Sequence, residues 1–502
     1  MTALDELNLN LAWKRTVVDS KKQFVPDLLD LKDYERNLEK NLENLKAKLS
    51  RDFHPQPPLI IDQPKANFSL RPGLAINIED RIVYQALIDY IAPQIDPKLS
   101  DSVYSFRLSS KPNDPYFFKN QVHQWKFYRE ERRKCYVEEG YTYLLQTDIT
   151  AFFEHVSQTI LIEKLKEFVD DENILIILRN LISDWSGYTN ISGMGLPQNS
   201  APSSFLSNFY LKYVDDMILS ETIDCIYLRF ADDISIFTRS KSDSKKILKV
   251  LVPILRGLHL NIQDKKTKIY DKNEIEELID EKQDAIKAIE YGIDGDSIEP
   301  EKFEELVKLF KENINVADDF NKTHFNYCIT RFKKLKNDYA VDYILEKLQD
   351  MPNSANFFVN YLGLFINDSD KIKNAICNFL ANSETNIYEW QEMWFLILLR
   401  DAKKLNKLQL SLIRRILKDR NKHWAARTFA ILTLGKHGNE SDREYIKSQY
   451  INEDNIFVKK AILISCHKMN KAERNPFYDI MVKNSTELNR LVEYLKSTNN
   501  IW

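Results

Sequence analysis

Asp232 and Asp233 stand side by side between two hydrophobic runs, in Tyr227-Leu228-Arg229-Phe230-Ala231-Asp232-Asp233-Ile234-Ser235-Ile236-Phe237. Ile226, Leu228 and Phe230 alternate before them, and Ile234, Ile236 and Thr238 after them, which predicts a hairpin with the acids at its tip. Two carboxylates in a partly desolvated hairpin raise each other's pKa unless something positive neutralises them, and a divalent metal does that. A plain Asp-Asp turn also fits the pair taken alone. Asp148 adds a third acid at the end of the strand expected over 141–147, 84 residues before Asp232. If the two strands are neighbours, Asp148 and Asp232 can share a pair of Mg²⁺ ions, which favour a few carboxylates together with waters and substrate phosphates. Such a pair supports in-line phosphoryl displacement, with a 3′-hydroxyl attacking and pyrophosphate leaving.

The elements that must hold these acids alternate between strand and helix. An N-terminal helix is expected over 27–50, with Leu31, Leu38, Leu42, Leu45 and Leu49 on one face, as a core helix or a contact with another subunit. Asn67–Leu74 is read as an extended segment and turn. Ile78–Ile91 is read as a helix capped by Asn77 and ended by Pro93. Residues 119–139 form a helix in which Lys126, Arg129, Arg132, Arg133 and Lys134 interleave with Trp125, Phe127 and Tyr128; it is either a nucleic-acid contact or a solvated face with a buried stripe. A helix after Ser157, the loop Gly193–Ser200, a long helix over 201–219, a helix over 245–255 and a strand over 258–262 follow, with Lys265, Lys266 and Lys268 just beyond. The region from about 65 to 275 is therefore α+β.

Gly292, Gly295 and Pro300 mark a boundary, past which strand signals cease. Phe325, Phe357, Trp390, Trp424 and Phe457 each open a hydrophobic helical run, at separations of 32, 33, 34 and 33 residues. That period predicts an all-α, HEAT-like helical repeat domain over 300–502, with an irregular bundle as the alternative. The expected domains are thus an N-terminal helical extension over 1–64, an α+β region over 65–285 and the repeats.

The 502 residues are 43% hydrophobic and 29% charged, with a formal net charge of −3, which fits a globular chain without a large basic excess. Five scattered cysteines lack metal-ligand spacing and suit reduced thiols. No signal peptide or membrane span is expected, which points to the cytoplasm.

In order, the chain carries an Arg-Pro turn and helix (71–91), SVYSFR (102–107), DITAFF (148–153), GLPQNS (195–200), FADD (230–233) and a Gly-Leu…Asn stretch with lysines (257–268). This series resembles the fingers and palm of reverse transcriptases. The resemblance implies an RNA-directed DNA polymerase-like nucleotidyltransferase with Mg²⁺, or Mn²⁺ in its place. Asp148, Asp232 and the Ile149 carbonyl would bind metal, with Asp233 as the supporting acid. Phe153 would exclude a ribose 2′-hydroxyl, so deoxynucleoside triphosphates are the expected substrates. Arg71, Gln198 and Lys265 would contact the nucleotide, with Lys266 and Lys268 as alternatives to Lys265. Asn199 departs from the glycine usual after Pro-Gln, where a side chain crowds the template–primer path.

A FADD-type polymerase followed directly by helical repeats resembles the abortive-infection (Abi) reverse transcriptases of bacterial anti-phage defence, above all the shorter prophage-encoded kind. That resemblance implies template-independent synthesis primed from a protein hydroxyl, single-stranded DNA left covalently attached, and a trimeric or hexameric homo-oligomer in the bacterial cytoplasm. Tyr34 and Tyr104 are the candidate priming residues. The alternatives are a templated enzyme of retron or group II type and a non-enzymatic scaffold with a dead polymerase domain.

Overall fold

The computed structural model describes residues 3–51, 53–186, 191–280, 293–294, 297–315, 322–368, 370–482 and 485–502. Gly292 and Gly295, expected at the boundary, lie outside them. The chain forms two compact units, one of residues 1–26, 39–60 and 73–282, the other of 27–38, 61–72 and 283–502. No helix among the described residues is long and apolar enough to cross a membrane.

A hairpin of β1 (Leu59–Pro64) and β2 (Leu70–Ala75) is followed by helix Ile78–Ile95. Asn77 accepts the Glu79 N–H and caps that helix as expected, but Pro93 lies inside it. The helix continues to Ile95, where burial holds its last turn. The single N-terminal helix expected over 27–50 is instead two, Lys32–Glu35 and Leu38–Leu49, and positive φ at Asp30 and Leu31 keeps the first from starting before Lys32. Ahead of them, helix Leu9–Ser20 lies along Ile78–Ile95, joined by an Arg15–Asp89 ion pair of 2.6 Å.

The first unit is built on an antiparallel sheet of β3 (Tyr143–Thr147), β4 (Cys225–Phe230), β5 (Asp233–Thr238) and β6 (Lys268–Tyr270), in the order β4-β5-β3-β6. Period-2 alternation sends Leu144, Leu228 and Phe237 toward helices Gln121–Val137 and Lys272–Asp280. Tyr227, Arg229, Ile234 and Ile236 point the other way, where Lys212–Leu219 and Lys241–Gly257 pack. The helix expected over 201–219 breaks at Leu211 into Ala201–Tyr210 and Lys212–Leu219. The strand expected over 258–262 is absent. Leu258 and Leu260 are buried as the C-terminal wrap of helix Lys241–Gly257, with His259 at φ 59°, and the fourth strand falls ten residues later.

The second unit is helical from Pro300 to Ser497. The helices that carry the recurring aromatics, Ala355–Leu362, Glu389–Asp401, Trp424–His437 and Ile456–Cys466, pack on one another in sequence. Helices Asp370–Ala381, Lys407–Lys418 and Glu440–Ser448 alternate with them. Asn406 and Asn439 close capping boxes with Gln409 and Asp442, so the starts of these two helices are written locally. A Cβ on Gly435 would come within 2.8 Å of Ser465 Cα, so glycine sets the approach of two stacked helices.

Candidate active site

Phe230 pairs with Asp233, which leaves Ala231 and Asp232 as a two-residue turn with Ala231 at φ 57°. Beneath the turn, Arg229 is fully buried and its guanidinium is saturated. It donates to Asp215 at 2.7 and 2.6 Å, to Asn208 Oδ1 at 2.7 Å and to the Ala231 carbonyl at 3.0 Å. Tyr227 donates to the same Asp215 carboxylate at 2.7 Å. Ser105, from SVYSFR, accepts the Ala231 N–H at 2.7 Å, while Tyr104 N–H bonds the Arg229 carbonyl. The turn is thus held from both sides by groups that do not touch a substrate.

Asp148 follows the last residue of β3, and Thr147 pairs with Ile234, so the end of β3 lies beside the start of β5. The Asp148 carbonyl accepts the Gln263 N–H, Thr150 N–H bonds the Asn261 carbonyl, and Ile149 is bridged to Ile262. Asp148 is buried, and its carboxylate pairs with the Lys266 ammonium. Burial first, and then Asp148, push the Asp232 carboxyl up to about 7. Asp233 is raised for the same two reasons, against the pull of Lys266 and Arg132. Its hydrogen bond to Asp148 raises Lys266 in turn.

Three desolvated carboxylates against one ammonium are a hard-oxygen site short of positive charge, which fits Mg²⁺. Among the described residues no three acidic, histidine or cysteine side chains already form a metal cluster. A bound ion would therefore draw on Asp148, Asp232 and the Ile149 backbone, with water and substrate completing its shell.

Phe153 and Gln198 sit on segments that dock on each other. Leu196 N–H bonds the Phe153 carbonyl and Gly195 N–H the Val156 carbonyl, both at 2.8 Å. Gly195 has φ 87°, and a Cβ there would stand 3.3 Å from the Phe153 and Glu154 carbonyls, so only glycine fits. Gly195→Ala is expected to cost about 1–3 kcal/mol by thermal melt and to raise KM for the nucleotide, because it shifts Gln198. Asn199 is exposed with φ 56°, the left-handed backbone that asparagine tolerates best after glycine. Gln23 donates to its carbonyl at 2.7 Å, and Asp19 accepts the Ala201 N–H at the start of the next helix. Gln198 lines a pocket with Asp19, Gln23, Arg81 and Tyr84.

Of the lysines past residue 264, Lys266 reaches the acids and Lys265 is exposed. Arg71 is half-buried on β2 and belongs to the second unit. Tyr104 is half-buried against Tyr128, and burial pushes its hydroxyl up to about 12. Tyr34, in the second unit, is 1% exposed and lies under Arg490. Sequence reasoning missed Ser105, Asn208, Asp215 and the role of Arg229. The one available signal was an arginine at an inward position of a strand.

Residues 63–287 match the family "Reverse transcriptase (RNA-dependent DNA polymerase)". This segment is a reverse transcriptase domain. The COX1/OXI3 intron 1 protein of Saccharomyces cerevisiae is 24% identical over 172 residues, which are 33% of this chain and 19% of that protein. The chain therefore spans about a fifth of the length of that relative. Telomerase structures from Candida albicans and Candida tropicalis align at TM-scores of 0.32 and 0.31, each at 12% identity. They cover 93% and 92% of this chain, and 71% and 65% of theirs. A likeness that weak says nothing about what this reverse transcriptase domain acts on.

Proposed function

We propose that this chain is a DNA polymerase that joins deoxynucleotides on divalent metal, without a nucleic-acid template, to a hydroxyl of its own, in bacterial anti-phage defence. The observation that carries the polymerase reading is the convergence of Asp148, Asp232 and Asp233 beside a lysine. Mg²⁺ held by Asp148, Asp232 and the Ile149 carbonyl would supply positive charge to the attacking and leaving oxygens. Asp233 adds negative potential that favours cation binding, and Lys266 is within reach to meet the departing pyrophosphate. Phe153 would bar the ribose 2′-hydroxyl and Gln198 would meet the incoming nucleotide.

Asn199 supports untemplated synthesis. It keeps the backbone turn that glycine would take, but puts a side chain at the exposed tip of the loop. Of the two candidate primers, Tyr104 adjoins the catalytic hairpin, whereas the hydroxyl of buried Tyr34 can be reached only by opening the unit around it. HEAT-like helical repeats after the polymerase, and a homo-oligomer, complete the abortive-infection reading. Purified chain given deoxynucleotides and Mg²⁺, with no template or primer, is expected to acquire covalent DNA, visible as a labelled, up-shifted protein band. An unlabelled band under those conditions sinks the reading. The similarity to a yeast intron protein favours a second reading, templated copying. Products that follow the sequence of an added RNA would select it.

A further inference from the structure

Helix Gln121–Val137 carries a cationic stripe that the acids do not use. At 100° per residue, Trp125, Lys126, Arg129 and Arg133 fall within about 100° of its circumference, while Glu130 and Glu131 fall outside that arc. The acid-paired lysine, Lys134, is on the far side, near Glu131 and Glu139. An ordinary solvated face would point its cations into water. Here Arg132, at the inner edge of the stripe, is about nine-tenths buried. It has one long bond, 3.4 Å to Gln146, and its Nε is without a partner. Arg129 is half-buried beside it, where burial first and the neighbouring Arg132 second disfavour its charge. An anion laid across the two relieves both.

The stripe also has a direction. Trp125 is 38% exposed and meets Phe230 edge-on at 4.9 Å; Phe230 immediately precedes the Ala231–Asp232 turn. One end of the stripe therefore lies at the catalytic hairpin. An exposed indole next to the guanidinium groups of Arg129 and Arg132, about one helical turn apart, suits a chain that alternates flat rings with phosphates.

We propose that Trp125, Lys126, Arg129 and Arg132 form a track for single-stranded DNA that begins at the catalytic acids, with a base stacked on Trp125 and phosphates on the arginines. The origin of that strand rests on the polymerase reading; its binding does not.

The test is fluorescence anisotropy of a fluorescein-labelled oligothymidylate against the full chain carrying Asp232→Asn, over a series of salt concentrations. Because no nucleotide is incorporated, the result stands whether or not the polymerase reading does. Adding Lys126→Gln and Arg129→Gln should weaken binding about tenfold or more at low salt and lower the salt slope by about 1. Adding Trp125→Ala should weaken it about 5- to 100-fold with the slope unchanged. The charge variants are on the helix surface and keep the test open if Trp125→Ala does not fold. Unchanged affinity and slope in the charge variants, an equal loss with Lys166→Gln elsewhere on the unit, or tighter binding of duplex than of single strand would each overturn the track.

Discussion

Asp232→Asn is expected to abolish nucleotide incorporation and, at the same time, to make the metal-free protein more stable at pH 8. The first effect follows from loss of a metal-facing carboxylate, which should remove at least about three orders of magnitude in rate. The second follows from the direction of the pKa shift. The folded carboxyl titrates at about 7 against an unfolded value of 3.8. A raised acid binds its proton more tightly in the folded state. Its penalty is therefore absent below pH 4, grows as the pH rises through the window between 3.8 and 7, and is complete above it. The full shift corresponds to on the order of 4 kcal/mol. Asparagine keeps the shape and removes the charge. In chelator, thermal melts of the variant and the parent should coincide near pH 4 and separate by pH 8, with the variant higher. Saturating Mg²⁺ should narrow the gap by stabilising the parent. A variant that melts at or below the parent at pH 8 would show that the acids are not under mutual strain.

That this site could be read from the sequence at all reflects where its parts lie. Asp232 and Asp233 belong to one hairpin whose alternation is local, and the β4–β5 register realises the expected turn. The helices after residue 300 were legible for the same reason, since the aromatics that open them and their Asn caps act within a few residues. Long-range pairings were not legible. Lys266 reaches Asp148 because a single 3-10 turn, Asp264–Lys266, aims it there, and neighbouring lysines of the same type gave no way to choose. Leu258, Leu260 and Ile262 alternate like a strand, yet the alternation comes from a helix end that folds back on its own last turn. Pro93 failed as a stop signal because tertiary burial outweighs one lost hydrogen bond near a helix end. The second arginine of the site, Arg132, looked like any basic residue on a mixed helix until its burial against Tyr128 was seen.

The largest structural effect is expected at a pair that never touches the substrate. Asp215 and Arg229 are both fully buried, and the guanidinium spends its remaining donors on Asn208 and the Ala231 carbonyl. Removing one partner leaves a charge in a dry interior, so Asp215→Asn or Arg229→Met should each cost about 3–5 kcal/mol. Asp215→Asn additionally leaves one oxygen where two accepted from Arg229 and Tyr227, and turns an amide donor toward a donor. Combining Asp215→Leu with Arg229→Met removes both charges and replaces them with apolar volume, which should recover most of that stability in urea melts. Activity should not recover with it. The Ala231 carbonyl would lose the donor that fixes it, and Asp232 is the next residue in the turn. A displacement of about 1 Å at a metal-binding carboxylate is enough to cost about 100-fold in rate. The double variant is therefore expected to be folded, stable and slow, with its defect in kcat and little change in KM for the nucleotide. If stability and activity return together, Arg229 serves only as packing beneath the hairpin. If stability returns alone, the buried ion pair is what aims the catalytic turn.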